Sequence, residues 1–334
     1  MADGEKPFVI SCGDPAGIGP EIINKAWLQR KEGRLHPFFV AGNIADFKAL
    51  DLAPVARISD PAEAGRAFSS ALPVFNTHVG AGATPGAPKL DDAQCALHSL
   101  EIACGLTRSG DTGAVVTAPV SKSQLYQVGF RYPGQTEFVS ERCGIARDNA
   151  VMMLAGPSLR VIPMTTHIPL KDVPGHLTQD LIVARAVAAD KAMKRNFGIA
   201  NPRLAIAGLN PHAGEDGNLG DEERQVMQPA IEQLRLRGIV ISDPMPADTM
   251  FHEEARAKYD VALCPYHDQA LVPLKTLHFY DGVNMTLGLP IVRTSPDHGT
   301  AFNIAGKNIA DPRSMIAAIQ MAKTAVSNRK KYKN

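Results

Sequence analysis

Read for the pattern of apolar and polar positions, the chain alternates short apolar runs with longer stretches of helical spacing. Residues 7–12, 37–43 and 114–119 read as strands, as do 160–167, 204–212 and Val261–Cys264. Helices are predicted over 20–30, 92–107, 178–197, 221–237 and 311–328, with Pro20 suited to a first helical turn. Residues 133–138 read as a turn feeding a further helix. Residues 71–88, rich in Gly, Pro and Thr, read as a meandering surface connection. Strands alternating with helices predict the α/β class, built on a largely parallel or mixed sheet. No repeat or low-complexity tail interrupts the pattern.

Composition narrows the function classes. A length of 334 residues suits two domains or one large α/β unit. With 45% hydrophobic and 21% charged residues and a net charge of +1, nothing marks a nucleic-acid or anionic-membrane surface. Cys12, Cys95, Cys104, Cys143 and Cys264 are scattered and never form Cys-x-x-Cys. That argues for reduced thiols in a cytoplasmic protein and against a zinc finger or a disulfide scaffold. The polar N-terminus lacks the apolar core of a signal peptide, and no apolar run approaches the roughly twenty residues of a bilayer span. The expectation is a soluble cytoplasmic protein with neither nucleic-acid nor membrane partners.

Candidate chemistry gathers after the strands. The apolar run Val261–Cys264 stops at Pro265, and His267, Asp268 and Gln269 follow at once, with Lys275 further on. Open α/β sheets place ligands just beyond the carboxyl ends of strands. His167 and His212 occupy the same setting after two other apolar runs. Three neutral imidazoles suit a divalent ion such as Zn²⁺, Co²⁺ or Mn²⁺, with positions left open for a substrate oxygen. The alternative is chance placement of three of ten histidines, since the separations are long and no local motif such as H-E-x-x-H joins them. His36, His78, His98, His176, His252 and His278 lack the shared setting and read as structural or solvent-facing. Lys275, Asn284 and Arg293 suit a substrate with carboxylate and phosphate groups, although each alone is an ordinary surface charge or cap. Between the first strand and helix, Gly13, Gly17 and Gly19 suit either a backbone approaching an anion or a tight turn. Their spacing is not that of a Rossmann fingerprint.

Seven motifs stand in order along nearly the whole chain: Gly13 to Glu21, Gly134 to Phe138, Leu209 to Glu215, Pro246 to Thr249, Tyr266 to Gln269, Gly282 to Pro290 and Asp297 to Ala301. Together they resemble the 4-hydroxythreonine-4-phosphate dehydrogenase family of vitamin B6 biosynthesis. The resemblance implies a two-domain α/β fold like that of isocitrate and isopropylmalate dehydrogenases, not a Rossmann domain. The implied larger domain is 1–128 plus 286–334, with the cofactor loop. The second is 129–285, with the metal ligands, and the active site lies in the cleft between them. A homodimer would complete each site. The same resemblance implies that His167, His212 and His267 hold one divalent ion (Zn, Mg, Co or Mn), one donor coming from the neighbouring subunit. Gln135, Thr136, Lys275, Asn284 and Arg293 would bind substrate, and Lys275 and Asp268 are the candidates for proton transfer. NAD, with NADP as the alternative, would lie against His298, Gly299, Thr300, Ala301 and Asn303.

The implied reaction oxidises the 3-hydroxyl of 4-phosphohydroxy-L-threonine and decarboxylates the β-keto acid to 3-amino-2-oxopropyl phosphate. Two departures stand out. Gln135 replaces the usual histidine and cannot carry positive charge toward a phosphate. Asn303 sits where an acid is common, and an acid there would grip a ribose hydroxyl. They keep in view a paralogous dehydrogenase acting on threonate or erythronate 4-phosphate or an aromatic dihydrodiol carboxylate. More remotely, acyl or phosphate transfer on the same broad fold stays in view.

Overall fold

Unbroken apolar runs make strands buried on both faces, and a parallel sheet covered by helices is the arrangement that accommodates them. The computed structural model describes residues 5–146 and 149–332. Its strands are β1 (Phe8–Ser11), β2 (Phe38–Gly42), β3 (Val55–Ile58), β4 (Leu72–Asn76), β5 (Val115–Thr117) and β6 (Val151–Gly156). After them come β7 (Leu159–Pro163), β8 (Arg203–Ala207), β9 (Val240–Met245), β10 (Val261–Cys264), β11 (Val283–Leu287) and β12 (Arg293–Pro296). The chain divides into two units, residues 1–147 with 289–326 and residues 148–288 with 327–334.

In the first unit the strands run β3-β4-β2-β1-β5-β12, every neighbouring pair parallel. Val9, Phe39, Leu100, Val115 and Phe138 share its buried core. In the second unit the order is β11-β6-β7-β10-β8-β9. There β6 is antiparallel to both neighbours, while β7, β10, β8 and β9 run parallel. Its core joins Leu154, Val161, Ala205, Ala262 and Leu274. Because β7, β10 and β8 are adjacent and parallel, their carboxyl ends share one edge.

Helix ends follow the local chemistry. Thr178 accepts from the Leu181 amide at 3.2 Å and starts the helix Gln179–Phe197, as its spacing predicts. The 71–88 stretch is not all loop, for it opens with β4, where Leu72 and Val74 are fully buried. Pro73 disguises that strand, since proline normally argues against one. The helix expected over 221–237 splits into a wide π-type turn, Glu223–Met227, and an α-helix, Gln228–Leu236, with Pro229 in its first turn. Residues 129–146, placed by the resemblance in the second domain, pack with the first: Phe138 and Val139 of helix Gln135–Arg142 are buried in its core. The last residues go the other way, Asn328 Nδ2 donating to the Asn196 carbonyl at 2.9 Å and Arg329 Nε to Asn196 Oδ1 at 2.8 Å.

Candidate active site

The three histidines follow β7, β8 and β10, at the shared carboxyl edge of the second unit. Backbone staples fix that edge. Met164 N donates to the Cys264 carbonyl at 2.7 Å, Thr165 Oγ1 to the Pro265 carbonyl at 2.7 Å, and the buried Gln269 Nε2 to the Gly208 carbonyl at 2.8 Å. The His167 and His267 rings come within 5.6 Å of each other, centroid to centroid. They line a cavity of about 240 Å³ with Tyr266, Asp268, Leu170 and Val173. His267 opens the helix His267–Leu277, which the sequence pattern did not announce, and its Nδ1 is 2.7 Å from Asp268 Oδ1. His212 Nδ1 is likewise 3.2 Å from Glu215 Oε2. A carboxylate on Nδ1 fixes the tautomer and leaves Nε2 as a free lone pair, the arrangement a metal-ligating imidazole needs. Glu215 was missed in the sequence, where its spacing of three from His212 was the signal.

His212 does not join the other two within one chain. Among the described residues no group of three His, Cys, Asp or Glu side chains is close enough to hold a metal. The donor chemistry of His167 and His267 fits a divalent ion. The loop that carries His212 is unusual: His212, Ala213, Gly214, Glu215 and Asp216 all have positive φ, between 43° and 85°. Left-handed backbone costs a non-glycine residue about 1–2 kcal/mol. Buried Glu223 holds the loop, its carboxylate accepting from Asn210 N at 2.8 Å and Asn210 Nδ2 at 3.0 Å. His167 also has positive φ, 54°, and so does Ala301, 43°. Strained backbone of this kind persists where surrounding structure over-determines it, and it gathers at functional sites.

An anion cradle forms in the first unit. Arg293, the first residue of β12, is 3% exposed. Its Nη2 and Nε donate to Thr117 Oγ1 at 2.7 and 3.2 Å, and Nη1 to Thr136 Oγ1 at 3.3 Å. Burial pushes the guanidinium down to about 10, with Cys104 and Glu137 countering, so it stays cationic at neutral pH. Gln135 Nε2 donates to the Ala118 carbonyl at 3.2 Å. That carbonyl can only accept, so the amide is oriented and its buried Oε1 is left without a partner among the described residues. Arg293, Thr136 and Gln135 are therefore brought together, joined by Thr117, which lay unremarked at the end of its apolar run. Asn284, in the second unit, also has a buried Oδ1 without a partner among the described residues. Lys275 is half-buried, its Nζ 5.7 Å from the centre of the Phe279 ring.

The loop after β12 exposes His298, Gly299 and Asn303, with Thr300 and Ala301 half-buried. Its backbone is pinned by the Ile18 amide, which donates to the Thr300 carbonyl at 2.9 Å. A Cβ on Gly17 would lie 2.9 Å from the same oxygen, and one on Gly13 would lie 2.4 Å from the Pro119 carbonyl. The glycines of the first turn thus admit the chain's own backbone, which supports the tight-turn reading of that motif. His298 and Asn303 are the exposed polar side chains that this pinned loop presents.

Comparison with known proteins bears on the whole chain. The family model described as pyridoxal phosphate biosynthetic protein PdxA matches residues 36–322. A 4-hydroxythreonine-4-phosphate dehydrogenase from Zymomonas mobilis subsp. mobilis is 55% identical over 327 residues, 98% of each chain. The crystal structure of a 4-hydroxythreonine-4-phosphate dehydrogenase from Klebsiella pneumoniae matches with a TM-score of 0.85 at 36% identity, covering 96% of this chain and 100% of that one. A terephthalate 1,2-cis-dihydrodiol dehydrogenase from Burkholderia xenovorans matches with a TM-score of 0.65 at 26% identity, covering 96% and 98%. On the strength of this full-length likeness, the chain belongs to the pyridoxal phosphate biosynthetic protein PdxA family.

Proposed function

We propose that the protein is a divalent-metal-dependent NAD oxidoreductase of vitamin B6 biosynthesis. It oxidises the 3-hydroxyl of 4-phosphohydroxy-L-threonine and decarboxylates the resulting β-keto acid to 3-amino-2-oxopropyl phosphate. The observation that carries the chemistry is the pair His167 and His267, 5.6 Å apart at the carboxyl ends of neighbouring parallel strands. The substrate follows the named relatives, foremost the one sharing 55% identity. His167, His212 and His267 would hold the ion, one of them contributed by a second copy of the chain. Bound there, the ion supplies Lewis-acid polarisation of the substrate oxygen, and the dinucleotide supplies a hydride acceptor.

The chain's own residues have defined tasks in this reading. Arg293, Thr136 and Gln135 hold the substrate's phosphate end, Arg293 as a planar fork already oriented by two threonine hydroxyls. Asn284 presents an acceptor to a substrate donor. Asp268 is engaged with His267 Nδ1 and orients it, so proton removal from the hydroxyl falls to Lys275, about two turns further along the same helix. The loop 298–303 holds the dinucleotide. Replacing His212 with Ala should abolish metal-dependent NADH formation from 4-phosphohydroxy-L-threonine. Undiminished turnover by the unaltered protein in metal-free buffer sinks the proposal.

A second reading rests on Gln135. Its open Oε1 offers an acceptor where a histidine would offer charge. A relative acting on another hydroxy acid would use the same metal and dinucleotide. NADH formation compared across 4-phosphohydroxy-L-threonine, threonate and erythronate 4-phosphates and a dihydrodiol carboxylate, with Mg²⁺, Mn²⁺, Co²⁺ and Zn²⁺ in turn, separates the two.

A further inference from the structure

We infer that Ser158 is an activated nucleophile in a serine–histidine–aspartate constellation that shares no residue with the site above and takes acyl groups from small activated esters. Ser158 is exposed, in the tight turn between β6 and β7. Its Oγ is 2.8 Å from His278 Nε2, and its backbone N is 3.3 Å from the same atom. On the far side of the ring, His278 Nδ1 is 3.4 Å from Asp281 Oδ1. The backbone N–H of Ser158 can only donate, so Nε2 is the unprotonated nitrogen. The ring proton is then on Nδ1, facing the carboxylate. Arg256 Nη1 donates to Ser158 Oγ, occupying a lone pair, which turns the hydroxyl proton toward Nε2. This is the polarity a serine nucleophile and its general base require, and such sites are recognised by geometry and role rather than by sequence order.

The surroundings hold these groups in place. His278 is 9% exposed and packs against the hairpin backbone, where a Cβ on Gly156 would come within 2.3 Å of the imidazole Cγ. Only glycine at position 156 permits that approach. Arg256 also donates to the Ser158 carbonyl at 3.3 Å, and its buried Nε has no partner among the described residues. The guanidinium thus grips the Ser158 turn through Nη1.

The step is an acyl transfer. Ser158 Oγ attacks the ester carbonyl carbon as its proton passes to His278 Nε2. The bond from that carbon to the alcohol oxygen breaks, and the departing alkoxide takes the proton from Nε2. Acyl-Ser158 and free alcohol result. Water then repeats the sequence, releasing the acid and regenerating the hydroxyl. Asp281 acts through His278 as a positioning residue.

The test uses the full chain, p-nitrophenyl acetate and an alkyl fluorophosphonate probe, with adducts located by peptide mass. The expected result is a p-nitrophenol burst and a fluorophosphonate adduct on Ser158, formed ~10²-fold faster than on other surface serines. Ser158→Ala, a change on an exposed turn, should remove the burst without lowering the melting temperature. Asp281→Asn should slow acylation at least about tenfold at an unchanged melting temperature, and Asp281→Glu should restore part of it. Labelling spread evenly over surface residues, or a burst that survives in Ser158→Ala, overturns the inference.

Discussion

Single residues carry the sharpest electrostatic consequences. Asp46 is 6% exposed, and burial pushes its carboxyl up to about 6, although the Ala83 amide it accepts from at 2.7 Å pulls the other way. Below pH 3.8 folded and unfolded states are both protonated and no penalty arises. Between pH 3.8 and about 6 the unfolded chain loses the proton first, so stability falls with rising pH, and above 6 the penalty is complete. Asp46→Asn keeps an acceptor for Ala83 and removes the charge. It should stabilise the protein by roughly 2 kcal/mol at pH 7.5 and by almost nothing at pH 3.5, measured by urea unfolding at both. Arg293 gives a second prediction, because lysine cannot span Thr117 and Thr136 as a fork. Arg293→Lys should lower kcat/KM for the phosphorylated substrate by roughly 100-fold while barely changing it for the unphosphorylated analogue. Residues of this kind stood out as candidates when they were polar and followed an apolar run, as with Arg293 and His267. Thr117 was not, because a threonine at a strand end has many uses and only the packed guanidinium reveals this one.

At the level of elements, the loop after β8 depends on one carboxylate outside it. Glu223 accepts from both nitrogens of Asn210 and sits in the wide π-type turn that begins the next helical stretch. Glu223→Gln leaves one of those donors facing an amide N–H. It should speed amide exchange across 210–217 while exchange in β7 and β10 stays unchanged, read by hydrogen–deuterium exchange. Strong, regular periodicity made the helices Leu90–Ser109 and Gln179–Phe197 plain in the sequence. The short strands β3, β4, β9 and β11 were not plain. Four to six residues hold too few positions to show a period, and Pro73 and Pro244 lie inside two of them. The left-handed run from His212 to Asp216 had no local signal beyond Gly214, because propensity opposes it and tertiary bonds impose it.

For the whole molecule, the proposed metal site raises the question of where a third donor would originate. Among the described residues one chain gathers no three-ligand group, although His167 and His267 stand together. If the donors come from two copies, single-histidine variants that are each inactive should complement one another. Mixing Ala variants at 167, 212 and 267 in pairs should restore activity in at least one combination, and silence in all three sinks the shared site. The α/β class and the strand-end position of the histidines were readable from the sequence, since both follow from apolar runs and what comes after them. Unit boundaries were not, because residues 129–146 and 327–332 fall where their packing and hydrogen bonds place them, not where composition would.

The left-handed loop also bears on how the protein meets heat. Four non-glycine residues between 212 and 216 sit in a conformation costing each about 1 kcal/mol, with Glu223 as the clasp. A segment loaded in this way relaxes before the sheet beneath it gives way. Enzyme warmed in steps should therefore lose turnover several degrees below its calorimetric transition and recover it on cooling. Inactivation would then be a local, reversible event that begins at His212.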